Sequence, residues 1–231
     1  MNIINWLYPQ RCPMCDEVVH KPYCCPDCYS KLTFVEQPYC YQCGQPLELM
    51  EQEYCADCQK HPKSFEANKA LLLYDEMAKA SLARFKFHNR REYAAFYAEE
   101  CVRRYGDAIA EWEIDAVIPV PVHPRKKRER GYNQAALFGM EFAQRMGLPF
   151  WKMGLERSIY TLPQKELNNV ERLKNLEKAF HIGKNNVKLK KILVVDDIYT
   201  TGATLEACSR VLIKGGAAKV YTLTVAIGEG Y

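Results

Sequence analysis

Lys191-Ile192-Leu193-Val194-Val195-Asp196-Asp197-Ile198-Tyr199-Thr200-Thr201-Gly202-Ala203-Thr204 carries an apolar run straight into two adjacent carboxylates and then into a small, hydroxyl-rich turn. Ile192 to Val195 is a short β-branched run suited to a strand covered on both faces, and Leu205, Cys208, Val211 and Leu212 follow at helical spacing. The turn at Thr200 to Thr204 therefore stands at a helix N-terminus, where unpaired backbone N–H groups and the positive end of the helix dipole favour a phosphate. Thr200, Thr201 and Thr204 add hydroxyls, and Gly202 allows the backbone to approach closely. Asp196 and Asp197, one step earlier, can accept hydrogen bonds from the vicinal hydroxyls of a ribose. The plainer reading, in which the aspartates merely cap the next helix, needs one carboxylate and no threonine cluster.

Working back from this stretch, the chain alternates strands and helices. Leu71 to Tyr74 reads as a strand, residues 76–86 and 91–105 as helices, Ala116 to Val122 as a second buried strand, and residues 133–146 as a helix stopped by Gly147. A loop-rich segment follows, then a short helix near 168–178, the Ile192 strand, its helix, and a strand at Val220 to Ile227. This alternation predicts an α/β fold with a mainly parallel sheet flanked by helices. In such sheets ligands sit beyond the carboxyl ends of the strands, which is where Asp196 and Asp197 fall.

The first sixty residues are of another kind. Nine of the eleven cysteines precede residue 59, and eight of them form Cys-x-x-Cys knuckles: Cys12/Cys15, Cys25/Cys28, Cys40/Cys43 and Cys55/Cys58. Each knuckle aims two sulfurs at one ion and tetrahedral Zn²⁺ needs two knuckles, so four imply two closed, structural Zn²⁺ sites of four cysteines. Pairing neighbours gives Cys12, Cys15, Cys25 and Cys28 for one site and Cys40, Cys43, Cys55 and Cys58 for the other; interleaved pairing is the alternative. Cys24 stands out of register and is either a spare thiol or a substitute for Cys25. Redox-active dithiols are the competing reading, but the motifs come as a set and no thioredoxin-like strand surrounds them.

Charge divides the chain at the same place. Residues 1–62 hold four basic and eight acidic residues, a net of −4, leaving +8 for the remainder of a chain whose total is +4. All-cysteine zinc sites add further negative charge, so any grip on nucleic acid is expected from the C-terminal part. The expected domains are a double zinc ribbon at 1–62 and the α/β domain at 63–231, divided near His61-Pro62-Lys63-Ser64. With 48% hydrophobic residues a sizeable core is expected. No stretch approaches the roughly 20 apolar residues of a transmembrane helix, and no secretory signal is recognisable, so the expected location is the cytoplasm.

Two further segments bear on the site. After the Ile118 strand comes Pro119-Val120-Pro121-Val122-His123-Pro124-Arg125-Lys126-Lys127-Arg128-Glu129-Arg130-Gly131-Tyr132-Asn133-Gln134, placed as a pyrophosphate loop would be, with Arg125, Lys126, Lys127, Arg128 and Arg130 available to phosphates or nucleic acid. A solvated charged loop is the bland alternative, and Tyr132 offers one stacking ring beside the charge. The second segment is Arg157-Ser158-Ile159-Tyr160-Thr161-Leu162-Pro163-Gln164, followed by Glu171-Arg172, Asn175-Leu176 and Ala179-Phe180.

The strand, the acid pair and Thr-Thr-Gly-x-Thr resemble the phosphoribosyl pyrophosphate (PRPP) motif of type I phosphoribosyltransferases. Joined to the four knuckles, Pro-Val-Pro-x-His-Pro with Arg-Gly-Tyr-Asn-Gln, and Arg-x-x-x-Thr-x-x-Gln with Glu-Arg-x-x-Asn-Leu-x-x-Ala-Phe, they resemble nearly end to end the ComF family of competence proteins, ComFC type. Ile159 departs from that pattern, standing where the family is usually basic. The resemblance implies a type I phosphoribosyltransferase fold behind a double zinc ribbon, and a part in DNA uptake during natural transformation. It implies PRPP bound with Mg²⁺ by Tyr199, Thr200, Thr201, Gly202, Ala203, Thr204, Val122, His123, Arg157, Thr161 and Gln164, with Asp196 and Asp197 as the catalytic pair. His123 is either a donor to the leaving pyrophosphate or a structural residue ending its strand. Three functions follow as expectations: a transferase moving phosphoribosyl to an acceptor with no legible signature; a non-catalytic protein that holds single-stranded DNA and senses PRPP; and a zinc adaptor docking on a helicase-like competence partner at the inner face of the membrane.

Overall fold

The computed structural model describes residues 10–19, 23–158 and 169–228. Its centre is a four-stranded, wholly parallel sheet of β1 (Asn68–Leu73), β2 (Ala116–Pro119), β5 (Lys191–Tyr199) and β6 (Lys219–Ile227), in spatial order β1-β6-β5-β2. The two longest strands, β5 and β6, are central, and β5 pairs with β6 from Lys191↔Lys219 to Tyr199↔Ile227. Ile192 and Val194 of β5 are buried in one apolar cluster and Leu193 and Val195 in another, all fully. Both faces of this strand are therefore covered, as its unbroken β-branched run predicts.

One face carries α3 (Glu76–Phe87), α4 (Tyr93–Glu111) and α6 (Gln134–Met146), with Leu82, Phe85, Tyr97, Phe138 and Phe142 packed against Leu193, Val195 and Leu223. The other carries α8 (Ala203–Lys214), whose Leu205, Cys208 and Leu212 pack on Ile192, Val194 and Val220. α7 (Asn169–Ala179) lies along α8. The element order agrees with the sequence reading, with three differences. The second strand ends at Pro119 rather than Val122, with one further ladder bond from Val120 N–H to Val195 C=O at 2.9 Å. The loop-rich segment contains a small antiparallel ribbon, β3 (Leu155–Arg157) with β4 (Phe180–Ile182), three residues a side and too short to show a period. The expected basic loop is a helix, α5 (Pro124–Arg130).

The cysteine-rich residues hold two single-turn helices, α1 (Pro26–Tyr29) and α2 (Ala56–Lys60), and are built into the α/β core. Residues 33–35 run beside β1: Val35 N–H donates to Leu71 C=O at 3.0 Å and Leu73 N–H to Thr33 C=O at 2.8 Å. The opposite edge, β2, is covered by Phe150 and its neighbours, Trp151 N–H donating to Val117 C=O at 2.9 Å. Neither edge is left as an open row of donors and acceptors. Among the described residues no helix is long and apolar enough to cross a membrane.

Candidate functional site

The turn behind Asp196 and Asp197 is shaped for an anion. Gly202 is the N-cap of α8 at φ 72° and brings no side chain to cap the helix, whose first N–H, that of Ala203, donates to the Thr201 hydroxyl at 3.4 Å. A Cβ at Gly202 would collide with the Tyr199 hydroxyl, which together with the left-handed φ restricts the position to glycine. Thr200 and Thr201 are exposed, and Ala203 and Thr204 half-buried, at the mouth of the turn. Tyr199 departs from the expectation: its side chain is buried, and its hydroxyl is pushed well above the ordinary range, first by burial and then by the sulfurs of Cys43 and Cys58. The ring supports the turn from the zinc-ribbon side instead of lining its mouth.

The two aspartates divide between the faces of the sheet. Asp197 forms an ion pair with Lys86 of α3 at 3.0 Å, and both side chains are mostly buried. Asp196 accepts from the Asp197 backbone N–H at 2.9 Å, and its charge reaches Cys208 of α8 on the opposite face. Burial first, and then the negative charge of Asp197, push the Asp196 carboxyl up to about 8, against opposing pulls from Lys86 and Arg157.

α5 forms because Pro124 suits a first helical position, the His123 ring caps it by accepting from Arg125 N–H at 3.2 Å, Arg125 and Glu129 pair one turn apart, and Gly131 ends it at φ 81°. Helical spacing then sorts the basic run. Lys126 and Arg130 lie one turn apart and half-buried, while Arg125, Lys127 and Arg128 are exposed. The Lys126 ammonium is lowered by burial and then by the charges of Arg130, Arg157 and Lys86, with Glu129 acting in the opposite sense. Arg157, at the end of β3, also acts on Asp196 and lies over the Phe180 ring at 5.3 Å. Val122 and His123 are half-buried between β2 and α5. Thr161 and Gln164 lie outside the described residues.

Both cysteine sets assemble as neighbour pairs: Cys12, Cys15, Cys25 and Cys28 in one, Cys40, Cys43, Cys55 and Cys58 in the other, with all sulfurs of a set within 4.8 Å of one another. Individual Sγ–Sγ separations are 3.7 Å (Cys12–Cys25), 3.9 Å (Cys15–Cys25) and 3.6 Å (Cys43–Cys55). A tetrahedron of Zn–S bonds of about 2.3 Å has edges of about 3.8 Å, so the donor sets fit Zn²⁺. Cys24 is a buried thiol 3.7 Å from Cys12, beside the first set and outside it.

Two family profiles match the chain, the double zinc ribbon domain over residues 3–59 and the phosphoribosyl transferase domain over residues 133–229. Competence protein F of Haemophilus influenzae is 30% identical over 227 residues, covering 95% of this chain and 96% of that protein. The chain belongs to the ComF family of competence proteins. Competence protein ComFC of Bacillus subtilis is 29% identical over 159 residues, 68% of this chain and 63% of that protein. The DNA utilization protein YhgH of Salmonella typhi is 30% identical over 138 residues, 58% of this chain and 60% of that protein.

Within this ComF chain the structure explains Arg-Gly-Tyr-Asn-Gln, whose residues close the end of α3. The Tyr132 hydroxyl donates to Phe85 C=O, the Gln134 amide to Lys86 C=O at 3.3 Å, and the Asn133 amide to Val120 C=O at 2.9 Å. Carbonyls that a helix end leaves orphaned are thus satisfied, and Lys86 is held beside Asp197. Tyr132 is consequently buried, and the stacking ring expected of it is lost. Lys86 escaped the sequence reading because nothing around it in the chain marks a site; the only available signal was a lysine breaking the apolar spacing at the end of a helix.

Proposed function

We propose that this protein binds PRPP with Mg²⁺ beyond the carboxyl end of β5, and that in competence it joins this site to the handling of incoming single-stranded DNA. One observation carries the reading: an acid pair leads into the glycine turn at the N-terminus of α8, with Lys86 paired to Asp197 and the charge of Arg157 acting on Asp196. Asp196 and Asp197 would orient the ribose hydroxyls, and the backbone N–H groups of residues 202–204 with the Thr200 and Thr201 hydroxyls would hold the 5′-phosphate. Arg157 would neutralise the pyrophosphate. Mg²⁺, a hard cation that takes oxygen ligands, would enter with PRPP beside Asp196 and Asp197 and would supply positive charge against the pyrophosphate.

In transfer, the bond from the anomeric carbon to pyrophosphate oxygen breaks, positive charge grows on the ring, and the acceptor closes the new bond. The chain's part is positioning and charge. Ligand sensing without turnover is the second reading, favoured by the Lys86–Asp197 pair: a carboxylate already engaged gives an arriving ligand a contact to displace.

Calorimetric titration of PRPP with Mg²⁺ into the protein and its Asp196→Asn/Asp197→Asn variant tests the site, with pyrophosphate followed in the same samples with and without single-stranded DNA. Binding by the wild type, weakened at least about tenfold in the variant, is the expected result, a loss of about 1.4 kcal/mol. Pyrophosphate release selects the transferase and its absence the sensor, while equal binding by both proteins overturns the site.

A further inference from the structure

Phe87, the last residue of α3, is 63% exposed, unusual for a phenylalanine at the end of a well-packed helix. Its ring lies 4.9 Å from the Arg130 guanidinium. With Asn89, Lys126, Glu129 and Arg130 it lines an open cavity of about 240 Å³. The backbone that carries the ring is held: Tyr132 and Gln134 donate to the two carbonyls immediately before it. Glu129, the one acid in the lining, is engaged by Arg125 at 3.4 Å. Among the described residues no carboxylate pairs with Lys126 or Arg130, and Arg130 instead donates to the Gln134 amide oxygen at 3.3 Å. A flat apolar face with two cations one helical turn apart matches the two parts of a nucleotide, a ring that stacks and a phosphate that pairs.

We infer that this cavity is a nucleotide-binding site, seating one base on the Phe87 ring and its phosphate between Lys126 and Arg130, with a single DNA strand as the ligand. A duplex keeps its bases stacked on each other, whereas a single strand offers a free π-face of any sequence. The inference deepens the nucleic-acid part of the function proposed above and rests on it.

The test compares three probes by fluorescence anisotropy and competition: an eight-nucleotide deoxyadenosine strand, an abasic strand of equal length, and deoxyadenosine monophosphate. Wild type is expected to bind the base-bearing strand about tenfold tighter than the abasic one, the lower part of the range for one stacked base. Phe87→Ala should bring both strands to the abasic affinity while leaving PRPP titration and melting temperature unchanged, and Phe87→Trp should restore the preference with its own emission quenched on binding. Lys126→Ala should weaken both strands alike and lower the salt slope by about one. Equal affinity for the two strands, no binding of either, or a monophosphate bound as tightly as the strand would each overturn the inference. PRPP titration on the same preparation keeps the two readings apart: loss of PRPP binding with base preference intact would sink the phosphoribosyl site alone, and the reverse would sink the nucleotide site alone.

Discussion

At the scale of single residues, Asp196 is the group most changed by its surroundings. Its folded carboxyl titrates near 8 and its unfolded one near 4, so the folded chain holds an extra proton between those values. The folded state therefore loses stability as pH rises from about 4 to 8, the opposite of a salt-bridged aspartate. Asp196→Asn is expected to raise the melting temperature of the ligand-free protein at pH 8 by roughly 3 °C or more, with little change at pH 4; an unchanged difference across that range, by calorimetry, would contradict the assignment. Lys86 acts in the contrary sense. Its ammonium is the partner of Asp197 in a mostly buried pair, and Lys86→Met leaves two adjacent carboxylates with one cation fewer. A loss of about 2 kcal/mol is expected in urea unfolding at pH 8, smaller at pH 5 where Asp196 carries its proton.

At the scale of elements, the site depends on two helix ends. The C-terminus of α3 is closed by the Tyr132 hydroxyl and the Gln134 amide. Tyr132→Phe leaves the ring and removes the donor to Phe85 C=O, at an expected cost of about 1–2 kcal/mol in denaturant unfolding. The N-terminus of α8 has no side-chain cap from Gly202, and its Ala203 N–H donates to the Thr201 hydroxyl at 3.4 Å. Gly202→Ala forces a Cβ into the Tyr199 hydroxyl at a left-handed φ, and is expected to destabilise by roughly 1–3 kcal/mol while weakening phosphate binding. Inorganic phosphate bound equally by variant and wild type would show that the turn is not an anion site. The strand leading into this turn and the helix leaving it are plain in the sequence, since hydrophobic period alone specifies them. α5 was not, because a seven-residue run with no apolar position has no period, and only Pro124, the 125/129 pair and Gly131 mark it as helical.

Across the whole molecule, the two zinc ribbons hold opposite sides of the site. On the first side, Asp16 accepts from Arg90 and from the Tyr93 hydroxyl, each at 2.6 Å, and Arg84 donates to the carbonyls of Pro13 and Met14, tying that ribbon to α3 and α4. On the second, the Asn68 amide donates to Cys43 C=O at 2.8 Å, and the backbone and hydroxyl of Ser64 donate to Glu206 of α8 at 2.7 and 2.8 Å. Cys40, Cys43 and Cys58 share one apolar cluster with Tyr199 and Leu205. Stripping zinc should thus loosen different regions according to the site. In hydrogen exchange, Cys55→Ser should lose protection around residues 199–206, and Cys15→Ser around residues 84–97. Identical patterns from both variants would mean that the ribbons do not act separately.

The sequence by itself determined which residues are ligands, strands and turns. Four knuckles, a β-branched run and an acid pair before Thr-Thr-Gly-Ala-Thr are short-range patterns, and the physics behind each acts within a few residues of chain. Neighbour pairing of the knuckles was legible for the same reason, since short loops close at least entropic cost. Tertiary structure alone decided which side chains meet. Lys86 and Asp197 stand 111 positions apart, Glu206 reaches Ser64 across 142, and Tyr199 turned toward the second ribbon because Gly202 leaves room on that side. Tyr132 is buried where a stacking ring was expected, because an orphaned carbonyl at the end of α3 needed a hydroxyl donor, which tyrosine carries.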